Sequence, residues 1–146
     1  MKKIFVALVM LTLLLFNLPK PLERVAGGKG AAVVFHLYEN AEGAEFKGST
    51  YRVVCGIGEA EKVRSGLTGI AGVEVIFRGG TDTAALLRKL SAVNVLREEF
   101  DDVTVYTGYS ALLTGGIRLN RGIVNFQIAV SDSAVTIGSP VIIGSY

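Results

Sequence analysis

The feature that most constrains this fold is a two-residue alternation of apolar and polar side chains in the second half of the chain. It occurs at 73–78, 103–109, 124–130 and 135–143. Because successive side chains of a β-strand point to opposite faces, each stretch predicts a strand with one apolar face. Pro140 interrupts the last stretch and has no N–H for a sheet ladder, so we expect that strand to lie at an edge or to be irregular there.

A single long helix is predicted between the first two of these strands. Thr81 or Asp82 can cap its N-terminus. Apolar residues then recur at spacings of three and four, at Leu86, Leu90, Val93, Leu96 and Phe100. We expect this helix to lie on the apolar face of the sheet, with Asp101 and Asp102 as its solvated end rather than as a cation site.

The order strand, helix, strand, strand, strand over 73–146 predicts an α+β fold with an antiparallel sheet and one long helix on one face. Residues 28–72 predict a reduced first half, with short strands at 32–38 and 51–57 and a short helix at 59–67. About 120 residues from position 28 onwards suit a single domain with one hydrophobic core.

The first 27 residues are typical of a secretory signal peptide or an N-terminal membrane anchor. Lys2 and Lys3 precede an apolar run at 4–16. At about 1.5 Å per helical residue this run reaches roughly 20 Å, which is short of the ~30 Å that a spanning helix must cross. Small residues around Gly27 predict cleavage there, with a retained anchor as the alternative. We therefore expect a protein that is secreted or attached to the outer face of the cytoplasmic membrane.

The N-terminal segment also accounts for the basic charge of the chain. The whole sequence has 15 Lys and Arg against 13 Asp and Glu, whereas residues 28–146 have 11 against 12, a net charge of −1. Nucleic-acid-binding domains carry clustered positive charge to neutralise phosphates, so nucleic acid is not expected as a partner. The glycine-rich stretch at 26–30 is expected to be a flexible leader.

Few residues have the chemistry of a catalytic site. His36 is the only histidine, and we interpret it as a surface or hydrogen-bonded structural residue, with a general base paired to a carboxylate as the alternative. Cys55 is the only cysteine; its place on an apolar strand face predicts burial and a raised pKa. No phosphate-binding motif is complete, and neither a cofactor nor a metal is expected.

The preferred candidate site is the sheet face opposite the helix. Polar side chains with hydrogen-bonding groups are predicted to project from it together: Thr104, Tyr106, Asn125 and Gln127, with Glu74 and Arg78 beside them. Such a face can bind a polypeptide or a glycan, although a solvated face requires the same residue types.

The C-terminal stretches Asn-Phe-Gln-Ile-Ala-Val at 125–130 and Thr-Ile-Gly-Ser-Pro-Val-Ile-Ile at 136–143, followed by Tyr146, are similar to the ending of the YwmB-like family. These are exported proteins of Gram-positive endospore formers, and the resemblance covers 73–146. It implies a TATA-box-binding-protein-like fold of two β-α-β repeats in one curved sheet, and an extracytoplasmic address. It implies no established activity. The first repeat would be reduced here, since residues 28–72 lack a long helix.

Together these features predict a non-enzymatic binding or interaction protein of the cell envelope. Its partner is expected to be an envelope protein or a glycan, and membrane contact is expected only through the N-terminal segment if that remains uncleaved. The family resemblance adds a link to sporulation or envelope remodelling. Two alternatives are a cell-envelope hydrolase that uses His36 with a carboxylate, and a homotypic assembly through edge strands such as 133–143.

Overall fold

The computed structural model describes residues 18–144, so the predicted apolar run at 4–16 lies outside the described residues. Three short helices are present in the described part: α1 (Leu22–Ala26), α2 (Ala60–Ser65) and α3 (Thr83–Lys89). The strands are β1 (Ala32–Leu37), β2 (Glu45–Lys47), β3 (Thr50–Gly56), β4 (Ile70–Arg78), β5 (Val93–Phe100), β6 (Val103–Tyr109), β7 (Ile117–Leu119), β8 (Gly122–Val124), β9 (Phe126–Val130) and β10 (Ala134–Ser139). The predicted α+β class is confirmed.

Eight of the strands form one antiparallel sheet in the order β2-β3-β1-β4-β10-β9-β6-β5, and β7 and β8 form a separate hairpin. Strand β10 lies between β4 and β9, so the predicted edge position of this strand is wrong. The strand ends at Ser139, directly before Pro140, and the missing N–H of the proline therefore falls outside the ladder. Homotypic assembly through 133–143 is therefore not possible by strand addition, because β10 is already paired on both sides.

The prediction of one long helix is also wrong. Helix α3 begins as predicted, since the Asp82 side chain accepts a hydrogen bond from the Ala85 N–H at 3.1 Å. It ends at Lys89, and Val93–Phe100 forms β5. Leu86 and Leu90 are buried, whereas Val93 and Phe100 are exposed, so the apolar stripe of the helix stops at Leu90. The β-branched valines of β5 favour a strand, and pairing with β6 satisfies its backbone groups on one side.

Asp101 and Asp102 form the two-residue turn between β5 and β6, in which Phe100 pairs with Val103. Asp101 has a φ of 47°, and aspartate is among the residues that tolerate this left-handed conformation. The acidic pair is thus a hairpin turn and not the end of a helix.

The main core lies on one face of the sheet, here called the helix face. Val33, Phe35 and Leu37 of β1 are fully buried there against α1 and α3. The opposite face carries the alternate residues of the same strands. The C-terminal segment 140–144 lies across its centre, where the Ile142 N–H donates to Gln127 Oε1 at 3.2 Å. The β7–β8 hairpin lies beside β6 near the far end of the sheet.

The folded unit begins before the predicted boundary at residue 28. Leu22 and Ala26 of α1 are 2% and 1% exposed and belong to the core. The Lys20 N–H donates to the Leu112 carbonyl at 2.8 Å, and the Thr114 N–H donates to the Lys20 carbonyl at 3.2 Å. Residues 20–26 are therefore structural, and Ala26 is not part of a flexible leader.

Candidate functional site

The four residues of the predicted site do not share one surface. Thr104 pairs with Val130 and Tyr106 with Ile128, which places both on the helix face. Gln127 pairs with Thr107 on the opposite face. The sequence pattern identified the alternation within each strand but could not give the register that relates one strand to the next.

Asn125 is fully buried and holds a loop rather than facing solvent. Its Oδ1 accepts a hydrogen bond from the Ser110 N–H at 2.8 Å, and its Nδ2 donates to the Ser110 carbonyl at 2.8 Å. Nδ2 also lies 3.4 Å from the Leu113 carbonyl oxygen. These contacts fix the loop after β6 to the start of β9, so the role visible for Asn125 is structural.

Glu74 and Gln127 anchor the C-terminal segment on the opposite face. Glu74 Oε1 accepts hydrogen bonds from the backbone N–H groups of Ile143 at 2.8 Å and Gly144 at 2.9 Å. Gln127 binds the Ile142 N–H through Oε1, and its Nε2 donates to Thr107 Oγ1 at 3.3 Å. Both side chains are thus engaged with the protein itself.

His36 lies beside Glu74 in the interior and is 1% exposed. Its Nδ1 is 3.0 Å from Thr50 Oγ1. Its Nε2 is 3.1 Å from Glu74 Oε1 without the alignment of a hydrogen bond. Arg52 is opposite His36 in the register of β1 and β3. His36 is therefore hydrogen-bonded, as one of the two predicted alternatives has it, and the surface position is wrong because the residue is buried.

The environment of Glu74 shifts its ionisation. Burial favours the neutral acid, but the close approach of His36 and the N–H groups of Gly144 and Ile143 outweigh burial and lower the pKa of Glu74 below its ordinary value. The carboxylate form is therefore the one that the fold stabilises.

His36 and Glu74 are residue types that form catalytic dyads, but neither side chain is accessible to solvent. The His36 and Glu74 side chains are 1% and 7% exposed, so a substrate cannot reach either group without displacing the C-terminal segment. Cys55 pairs with Val33 and lies on the helix face, away from His36. Partial burial, with Glu59 and Glu23 nearby, raises the pKa of the Cys55 thiol as predicted. The Cys55 thiol and the His36 imidazole lie on opposite faces of the sheet and do not meet.

The opposite face carries an open groove between β5 and the β7–β8 hairpin, with a volume of about 560 Å³. One wall consists of Asn94, Leu96 and Glu98, which are alternate residues of β5. The other wall is residues 118–124 of the hairpin. This hairpin is not among the predicted strands, although Asn120, Arg121 and Gly122 between two short apolar stretches are a turn signal.

The groove combines exposed apolar groups with positive charge. Leu119 and Ile123 of the hairpin are 46% and 50% exposed. Arg118 and Arg121 also line the groove, and within residues 18–144 neither has a carboxylate at ion-pair distance. An arginine without a partner beside apolar surface is suited to bind a carboxylate-bearing molecule.

Comparison with known proteins finds no matching family model, no matching curated protein and no matching solved structure. Among residues 18–144, no helix combines the length and hydrophobicity required to cross a membrane.

Proposed function

We propose that this chain is a non-enzymatic binding or interaction protein of the cell envelope, and that it binds its partner in the groove between β5 and the β7–β8 hairpin. The observation that carries this proposal is the contrast between two sets of polar groups. The histidine–carboxylate pair is enclosed, whereas Arg118 and Arg121 line an open groove beside exposed leucine and isoleucine side chains.

The chemistry of the groove favours a partner with both carboxylate and apolar groups. Two arginines and Glu98 leave the lining with an excess of positive charge, and the apolar side chains offer surface that a partner can remove from water. An envelope polypeptide or a glycan that bears carboxylates fits this description. Nucleic acid does not, because the 13 basic and 13 acidic side chains of residues 18–144 leave the folded part without net positive charge.

The extracytoplasmic address rests on the sequence of the first 27 residues and on the resemblance of 73–146 to YwmB-like exported proteins. On the same resemblance we propose that the antiparallel sheet is a variant of the TATA-box-binding-protein-like fold with a reduced first half. The link to sporulation or envelope remodelling has no other support, and a deletion strain that sporulates and divides normally would count against it.

Site-specific photo-crosslinking in intact envelopes tests the groove. A photoreactive phenylalanine at Leu119 should give a discrete covalent adduct, and the double substitution Arg118→Glu and Arg121→Glu should abolish it. Val54 is the matched control position, since it is also an exposed apolar residue (61%) but lies on β3 near the other end of the sheet. Identical products from both positions, or an adduct that persists in the double variant, would contradict the proposal.

A further inference from the structure

We propose that two copies of this chain pair through their β5 strands, in an antiparallel register centred on Glu98. This inference deepens the proposed function, because it rests on the same groove and names a second copy as an occupant. Within the described part of the chain, β5 is an edge strand that pairs only with β6. Its outer backbone groups are therefore open to another strand.

The residues along this edge are self-complementary about Glu98. In the centred register, Leu96 lies opposite the partner's Phe100, and Arg97 lies opposite the partner's Glu99. Each match occurs twice because the arrangement is two-fold symmetric. Directly opposite residues share a face, so opposite charges and apolar pairs both stabilise such a ladder.

Neighbouring registers lose these matches. In a register centred on Arg97, the two copies of Arg97 face each other and Glu98 lies opposite the partner's Leu96. In a register centred on Glu99, the two copies of Glu99 face each other and Glu98 lies opposite the partner's Phe100. A half-step shift is not available, because two-fold symmetry keeps each residue of both copies on the same face and directly opposite residues share a face. The centred register alone pairs the apolar residues and the opposite charges together.

The pairing of Leu96 with the partner's Phe100 lies at the wall of the groove. Glu98 pairs with Val105 and Leu96 with Thr107, so both project on the opposite face into the groove. Phe100 projects on the same face and is 54% exposed in one copy. In the centred register, the partner's Phe100 packs against Leu96 at the groove wall and is removed from water.

The two Glu98 carboxylates that meet on the two-fold axis lie near the arginines of the groove. Two copies of Glu98 opposite one another repel. Arg118 and Arg121 line the groove that Glu98 enters, and in one copy they have no ion-pair partner among residues 18–144. The pair of arginines in each copy therefore offsets the central carboxylates.

Disulfide trapping of the purified full-length chain tests the register directly. In a Cys55→Ala background, Glu98→Cys should form a covalent dimer on oxidation, because opposite Cα atoms in an antiparallel pair lie about 4.5–5.5 Å apart. Leu96→Cys alone should not, since the two copies of this residue are four positions out of register, about 13 Å. Adding Phe100→Cys to Leu96→Cys should restore crosslinking. Val54→Cys in the same background measures random collision at an exposed site.

Charge reversal separates the interface from the fold of one copy. Arg97→Glu and Glu99→Arg should each raise the dimer dissociation constant at least tenfold in sedimentation experiments, and the double variant should restore it. The two side chains also contact each other within one copy, so thermal unfolding at dilution reports any loss of monomer stability. Arg88→Glu, on the exposed Arg88–Asp82 pair of α3, is the matched reversal that should leave the dimer unchanged.

The outcomes distinguish this inference from the function on which it rests. A chain that stays monomeric at every concentration, or a Glu98→Cys variant that crosslinks no faster than Val54→Cys, overturns the dimer. If the Leu119 photo-adduct then contains a different polypeptide or a glycan, the proposed function stands without the dimer. If no adduct forms either, both fail. An adduct between two copies supports both.

Discussion

Glu23 and Arg64 form a two-point ion pair that joins α1 to α2. Arg64 Nη2 donates to Glu23 Oε2 at 2.9 Å, and its Nε contacts Oε1. The Glu23 side chain is 3% exposed and that of Arg64 is 30% exposed. The guanidinium also lies 5.4 Å from the ring centroid of Phe35, so one arginine ties both helices to the central strand β1.

Replacing Glu23 with glutamine should therefore destabilise the fold. Removal of one partner leaves the other charge partly buried without compensation, and we expect a loss of about 2–3 kcal/mol in the free energy of unfolding. Urea denaturation measures it. The control is Glu61→Gln, which breaks the exposed Arg24–Glu61 pair (51% and 74% exposed) and should cost less than about 1 kcal/mol. Equal effects of the two substitutions would show that the buried pair has no special role.

Shortening the chain to begin at residue 28 should lower stability more than either substitution. It removes the buried Leu22 and Ala26 side chains together with Glu23, and burial of a leucine alone is worth about 2–3 kcal/mol. The reference for this loss is a chain that begins at residue 18, which keeps the whole of α1. If both shortened chains unfold alike, α1 contributes nothing to the fold. The predicted cleavage near Gly27 would produce the weaker of these two forms.

The outcome for residues 83–100 shows how much local sequence patterns can predict. Alternation at 73–78, 103–109 and 124–130 identified three strands, because a half-buried strand repeats every second residue. The apolar positions that predicted one helix through Phe100 fit helical spacing, yet tertiary pairing with β6 turned the second half of that segment into β5. Local periodicity contains no information about such a competition.

The candidate site was less predictable than the fold for a related reason. Glu74 and His36 meet only because β1 pairs with β4, where His36 lies opposite Gly72 and Val34 lies opposite Glu74. The groove at β5 needs the β7–β8 hairpin to lie over a strand that the sequence predicted to be helix. Residue types indicated the available chemistry, whereas strand register decided which groups became neighbours.

The free energy of unfolding should fall in acid, because Glu74 becomes protonated. Because its folded pKa lies below the ordinary carboxyl value, the stabilisation is present above the unfolded pKa, about 4.3, and is lost as the pH falls through the folded pKa. The urea midpoint of the wild type should therefore drop below about pH 4. Glu74→Gln should be less stable at neutral pH and should lose part of this acid dependence, whereas Glu61→Gln should retain it. An unchanged pH slope in Glu74→Gln would contradict the prediction.

The close approach of the C-terminal segment to β10 can be tested at Gly138. A Cβ at this position would lie 2.6 Å from the Ile142 backbone nitrogen and 2.7 Å from its Cα. Backbone atoms cannot move aside as a flexible side chain can, so Gly138→Ala should displace the segment.

Hydrogen exchange of the Ile143 and Gly144 amides gives the readout, because Glu74 accepts both N–H groups. Both should exchange faster in Gly138→Ala, by about tenfold for each 1.4 kcal/mol lost. Gly56→Ala is the matched control, since a Cβ there meets nothing within 4 Å. Protection that survives in Gly138→Ala would mean that the segment is not held against β10.

Asn125 distinguishes a structural role from the binding role that its sequence position predicted. The Asn125→Asp variant keeps the shape of the side chain but loses the Nδ2 donor, so the carboxylate faces the Ser110 carbonyl oxygen in a fully buried position. We expect a loss of about 2–4 kcal/mol, from the unsatisfied carbonyl and the buried charge. Asn120→Asp, in the exposed turn of the β7–β8 hairpin, should change stability by less than about 0.5 kcal/mol. A stable Asn125→Asp variant that has lost only its photo-adduct at Leu119 would instead support a direct part for Asn125 in partner binding. Loss of stability would show that the residue acts by holding the loop that leads into the hairpin.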